Sequence, residues 1–309
     1  MSHAWLPRVL VIGPGGVKGL KVLGFLTPLE DAQLLRAVDT YCGVSIGAII
    51  CLLLAAGYSI REIVGEAVTL DIFKEISGFN WREAMSHRGV LSNETVQHRL
   101  CNLLVLKFGH VPTLHELYET THTSFIAVTY NVTDSVCAMM GPRTHPNVSC
   151  VDAALFSMNI PFVFYQLIYQ GKTYIDGAFG NPYPVDHFDN GSTDILGIYI
   201  KDPDEVYETP ELPVHVYISK IIHALMERTR NKTIRDASER CKHVKIQTHI
   251  HDTVGTNMTL ENKARMLVDG NNEGRQFMQD IHNHGYQRPV IPPDIKYVYP
   301  EHAEIHNST

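Results

Sequence analysis

The chain predicts a three-layer α/β fold, a mostly parallel central sheet with helices on both sides, and three observations carry that reading. Arg8-Val9-Leu10-Val11-Ile12 and Asp194-Ile195-Leu196-Gly197-Ile198-Tyr199-Ile200 are apolar runs without polar alternation, as expected of strands buried on both faces. Between them, strand-like and helix-like segments alternate along the chain. The first run ends in glycine and opens onto a helical pattern, the usual joint of a βα unit.

The elements follow in order. After Ile12, Gly13-Pro14-Gly15-Gly16-Val17-Lys18-Gly19 leads into an apolar helical pattern from Leu20 to Leu35. Val38 to Cys42 reads as a strand, and Ala48 to Ala56 as a buried helix ended by Gly57. Ser59 caps the next helix, with Glu62 placed for a capping box. Residues 71 to 91 have no clean period and read as a packed insertion, with a cover over a site as the alternative. Helices are expected from Ser92 to Phe108 and from Thr113, then two strands, Ser124 to Tyr130 and Ser135 to Met140, around a tight bend. Val151 to Met158 is helical and stops before Pro161. Gln166 to Tyr169, a Gly171-Lys172 turn and Tyr174 to Ala178 follow, with Asp176 expected at the end of a parallel strand. Beyond Pro210 two long helices, Val214 to Thr229 and Thr259 to His282, flank His243 to Ile250. No linker or composition break divides the chain. Residues 6–205 read as a catalytic core and 206–309 as a helix-rich C-terminal extension packed on the same domain.

Composition limits the partners. The 309 residues are 44% hydrophobic and 19% charged, enough apolar material for a sizeable core. A net charge of −7 argues against nucleic acid, and the lack of a Lys/Arg cluster leaves only transient contact with a membrane surface. The six cysteines form no Cys-x-x-Cys pair and read as reduced thiols. The first residues lack a basic and then apolar leader pattern, and the longest apolar stretch falls short of the ~20 residues that span a bilayer. A cytoplasmic protein is expected. The seventeen histidines include His249-Ile250-His251-Asp252 and His282-Asn283-His284, whose spacing makes poor metal sites, so no metal or cofactor is expected.

Two stretches carry chemistry. Gly43-Val44-Ser45-Ile46-Gly47 sits between a strand and a helix, the setting of a nucleophile elbow: a sharp turn holds the serine hydroxyl clear of the backbone, and glycines allow close packing. The loop at residues 13–19 presents backbone N–H groups at a helix N-terminus, where they attract an anion. It lacks the Walker pattern and breaks the dinucleotide fingerprint at Lys18, which leaves an oxyanion hole as the better reading. Ser45 then needs a base, and Asp176, at a strand end on the same sheet edge, is the candidate.

The order of glycine-rich loop, Gly-x-Ser-x-Gly and Asp176-Gly177-Ala178 resembles the patatin-like phospholipases across residues 8 to 200. Val151 to Phe164 is similar to the family's helix, proline and phenylalanine segment. The resemblance implies a Ser45–Asp176 dyad with no catalytic histidine, hydrolysing phospholipid or other acyl-ester lipids through an acyl-serine. It implies Gly15 and Gly16 as oxyanion donors, since Pro14 stands where the family has glycine and has no N–H to give. Lys18 matches the family's basic position, either orienting the loop or meeting a lipid phosphate. Other readings remain open: a Ser-Asp-His hydrolase using a later histidine such as His243, a catalytically weak lipid-binding relative, or a dinucleotide-binding oxidoreductase.

Overall fold

The computed structural model describes residues 5–69, 88–201, 214–248, 258–283 and 286–291, without the side chains of 214–219. Most of the 71–91 stretch, His249 to Asp252 and His284 lie outside the described residues. Within them eight strands join in one sheet. Its parallel body runs β3 (Ser124–Asn131), β2 (Thr40–Val44), β1 (Val9–Ile12), β7 (Ile195–Lys201) and β8 (Cys241–Gln247). β4 (Val136–Met140) returns antiparallel along the outer edge of β3, as the bend after Asn131 predicts.

The segment carrying Asp176 departs from expectation. β6 (Lys172–Asp176) is antiparallel to β3, not parallel, and β5 (Leu167–Tyr169) pairs with it as a hairpin. The Gly171-Lys172 turn makes β5 and β6 oppose each other, and it is β5 that runs in the direction of β3, so β6 runs against it. Tyr130 of β3 pairs with Cys137 of β4 on one side and Ile175 of β6 on the other. A strand has two edges, so β6 lies along the edge that β2 occupies lower down. There β2 ends at the Val44–Val128 pair and β6 ends at the Asp176–Thr129 pair. The two strands meet nose to nose.

Helices cover both faces. Leu10, Ile12, Leu196 and Ile198 pack toward α1 (Gly19–Asp31), α2 (Ile46–Ala55) and α6 (Cys150–Met158). Val9, Val11, Cys42 and Val44 face the other way, against Tyr183, Val185 and Ile234 of α7 (Val214–Asp236). Alternate residues of β1 therefore enter two different cores, which is why its sequence shows no alternation. α1 stops short of Leu35 because Gln33 turns into the left-handed region, φ 58°. α3 (Ile60–Thr69) opens with the expected box: the Ser59 N–H donates to Glu62 Oε2 at 2.7 Å, and the Glu62 N–H donates to Ser59 Oγ at 3.3 Å. α4 (Glu94–Phe108) and α5 (Leu114–Thr121) follow, the latter with a Thr113–Glu116 capping box.

α8 (Leu260–Asn283) crosses α1 with the two backbones in contact. A Cβ on Gly270 would collide with the Lys21 carbonyl oxygen, one on Gly274 with the Phe25 carbonyl, and one on Gly24 with the Leu267 carbonyl. The buried Lys21 ammonium pairs with Glu273 at 2.7 Å across the same crossing.

Candidate active site

Ser45 occupies the turn between β2 and α2 with φ 59° and ψ −128°, a backbone state rarely adopted by residues other than glycine and costing on the order of 1–3 kcal/mol. The surrounding packing holds it there. A Cβ on Gly43 would collide with Gly47 and Ala48, and one on Gly47 would collide with the Ile12 carbonyl oxygen. The two glycines thus let α2 fold tightly back on β2 and pass close to β1. Ser45 stands at the N-cap of α2, yet its hydroxyl caps no backbone N–H. It lies instead near enough to the Asp176 carboxyl to favour that group's ionised form. Its buried N–H donates to Ser157 Oγ at 3.0 Å.

Asp176 is 2% exposed, and burial pushes its pKa from 3.8 up to about 6. The Ser45 hydroxyl and the Ala178 N–H, which donates to Oδ1 at 2.8 Å, act in the opposite sense by favouring the ionised form. The positive end of α2 adds to the field at Ser45. Gly177 allows the close approach to β3, since a Cβ there would collide with the Val128 carbonyl oxygen. Beside the acid, Thr129 Oγ1 donates to the Ile175 carbonyl at 2.7 Å.

The glycine-rich loop runs alongside. The Gly13 carbonyl sits against Gly47, and Gly19 lies against the Ile46 side chain, so residues 13–19 flank the turn just after Ser45. Gly15 and Gly16 are partly exposed, with Gly16 in the left-handed region at φ 55° and Gly15 pressed on Ile200. Gly16 begins the helical turn that runs into α1, where the first N–H groups have no helical partner of their own. Lys18 is 1% exposed. A lysine buried to that degree is part of the loop's structure rather than a solvated charge.

His243 is elsewhere. It lies on β8, three strands from β2, which is about 14 Å at the usual strand spacing. Its Nδ1 is 2.9 Å from the Tyr183 hydroxyl, and burial lowers its pKa to about 4. Among the described residues no group of three or more His, Cys, Asp or Glu is placed to hold a metal ion. No described helix is long and apolar enough to cross a membrane.

Ser157 and Asn159 were not singled out by sequence reasoning. A signal did exist: Ser157 is a polar residue in an otherwise apolar helical run, and a buried hydroxyl needs a partner.

Comparison with known proteins supplies the family. The probable lipid hydrolase 463L of Invertebrate iridescent virus 6 is 27% identical over 186 residues, 58% of this chain and 62% of that protein. The uncharacterized protein R571 of Acanthamoeba polyphaga mimivirus is 23% identical over 285 residues, 89% of this chain and 95% of that protein. Among solved structures, VipD from Legionella pneumophila superposes with a TM-score of 0.56 at 15% identity, covering 87% of this chain and 66% of VipD, and so shares the fold. The matches thus take in less than two thirds of the iridescent-virus protein and of VipD. The family model described as patatin-like phospholipase matches residues 10–189, more than half of the sequence and all of the loop, turn and acid described above, and the chain belongs to the patatin-like phospholipase family.

Proposed function

We propose that this protein is a lipid acyl hydrolase of the phospholipase A type, cleaving carboxylic-ester bonds of phospholipids through an acyl-Ser45 intermediate with Asp176 as the base. The observation that carries the reading is a buried Asp176 carboxyl, its pKa raised to about 6 by burial, with the Ser45 side chain near enough to favour its ionised form. An ordinary aspartate, near 3.9, is too weak a base for a hydroxyl; desolvation brings Asp176 closer to the working pH while leaving it ionised at neutrality.

In the first step Asp176 accepts the Ser45 proton as Oγ attacks the ester carbonyl. The carbonyl oxygen becomes an oxyanion and takes hydrogen bonds from the Gly15 and Gly16 N–H groups. Each such donor contributes ~3 kcal/mol to lowering the barrier. The protonated Asp176 returns its proton to the departing alcohol, leaving the acyl-serine. Water then repeats the sequence, with Asp176 taking the water proton and Ser45 leaving as the alcohol. The nucleophile-elbow geometry of Ser45 suits this attack, because the strained turn at the end of β2 leaves its hydroxyl out of the capping of α2. The burial of Lys18 favours a loop-orienting role over contact with a lipid phosphate. The substrate is reached by transient contact with a membrane surface, in keeping with the net charge of −7.

A fluorophosphonate probe tests the assignment. The parent protein is expected to become covalently labelled, and Ser45→Ala to remain unlabelled and inactive on phospholipid vesicles. An unlabelled parent, or a Ser45→Ala protein that still releases fatty acid, overturns it.

A further inference from the structure

Ser45 and Asp176 lie on different strands, and one short stretch at the end of α6 touches both. Ser157 Oγ accepts the Ser45 N–H at 3.0 Å. Two residues on, the Asn159 carbonyl accepts the Asp176 N–H at 2.9 Å, while Asn159 Nδ2 donates to the Tyr174 carbonyl at 3.0 Å. Both residues are buried, Ser157 completely and Asn159 to 2% exposure. Alanine would fill the Ser157 site about as well as serine, so packing alone does not call for a hydroxyl there.

We infer that Ser157 and Asn159 are positioning residues for the acyl-transfer reaction, a clamp from α6 that fixes the Ser45 turn and the Asp176 strand end relative to each other. The inference rests on the Ser45–Asp176 reading above. Ser45 holds a left-handed backbone state that relaxes unless its surroundings prevent it. Its N–H is buried and has the Ser157 hydroxyl as its partner, so loss of that oxygen leaves a buried donor unpaired and frees the turn to rotate. Rotation carries Oγ off its line to the Asp176 carboxyl. On the other side, the Asn159 carbonyl and amide grip β6 at Asp176 and Tyr174, setting the acid's height above β3. Neither residue touches substrate in this scheme; both act through the pair they hold.

Ser157→Ala and Asn159→Ala, made in the full chain beside Ser45→Ala, test the clamp by thermal unfolding, steady-state hydrolysis of a soluble ester and the rate of fluorophosphonate labelling. For folded Ser157→Ala, kcat and labelling rate are expected to fall by about 10²-fold, the effect of a small misplacement of a reacting group, with KM changed by less than about threefold. Asn159→Ala is expected to lose about tenfold in kcat, the equivalent of one hydrogen bond. A folded Ser157→Ala protein whose kcat and labelling rate stay within about twofold of the parent overturns the inference, as does a loss confined to KM. Should Ser157→Ala not fold, Ser157→Cys keeps the volume with only a weak acceptor and gives the same reading. A Ser45→Ala protein that remains active overturns the nucleophile assignment and the clamp with it, a result distinct from an unaffected Ser157 variant beside an inactive Ser45→Ala.

Discussion

At the scale of single residues, the carboxyl of Asp176 joins activity to stability. Its pKa is about 6 in the folded protein and near 3.8 when unfolded, so the folded state binds more protons between those values. Stability therefore falls as pH rises through that window, by up to about 3 kcal/mol, and the loss is complete above about pH 7. Asp176→Asn removes the ionisation. The variant is expected to be inactive yet more stable than the parent at pH 8, with the difference shrinking toward pH 4; chemical denaturation at both pH values measures it, and a pH-independent difference contradicts the burial argument. With Asp176 as the proposed base, the same ionisation is expected to put the acid limb of kcat/KM near pH 6, since only the carboxylate can accept a proton from Ser45. A rate that is flat from pH 5 to 8 rules out Asp176 as the base.

Between elements, contact is made repeatedly by backbone against backbone, and glycine permits it. Gly270 and Gly274 let α8 lie directly on α1, so Gly270→Ala, whose Cβ would meet the Lys21 carbonyl and the Phe25 backbone nitrogen, is expected to cost about 2–4 kcal/mol and lower the unfolding midpoint. An unchanged midpoint would mean that the helices separate freely. Gly47→Ala should be at least as damaging, because its Cβ would meet the Ile12 carbonyl inside the sheet-to-helix joint. How much was legible in the sequence differs between these two contacts. Gly43 and Gly47 flank a serine at the end of a strand, and that local pattern was enough to locate the turn. The four-residue spacing of Gly270 and Gly274 was equally visible, but nothing in it names α1 as the partner. The direction of β6 escaped for a related reason: a hairpin turn shows that β5 and β6 oppose each other, and only the vacant upper edge of β3 decides which of them runs with the sheet. Ser157 and Asn159 also depend on contacts across the fold, where residues 112 and 15 positions apart meet.

Across the whole molecule, the chain beyond residue 205 supplies both an edge strand and a covering helix. β8 pairs with β7 along its full length, from Ile195–Cys241 to Lys201–Gln247, and α8 covers α1. A chain ended at residue 205 would expose the β7 edge and the apolar face of α1 together, and is expected to aggregate on expression. Recovery of a soluble, cooperatively folding fragment would instead make residues 6–205 self-sufficient. The layered α/β plan was legible in β1 and β7, whose apolar runs show no alternation, whereas β8, with polar residues interleaved at the sheet edge, reads in the sequence only as the stretch between two helices.

The nose-to-nose meeting of β2 and β6 has an evolutionary corollary. Ser45 and Asp176 are indexed to neighbouring peptides of β3, at Val128 and Thr129, so one strand acts as the ruler between them. The long intervening chain can then gain or lose residues at its surface bends without altering that measure. The turn at Asn190 to Thr193, which feeds β7 from the opposite end of the sheet, stands just as far outside the ruler. A short flexible insertion there should leave kcat unchanged, which would make it a natural port for grafting a second binding module onto this fold.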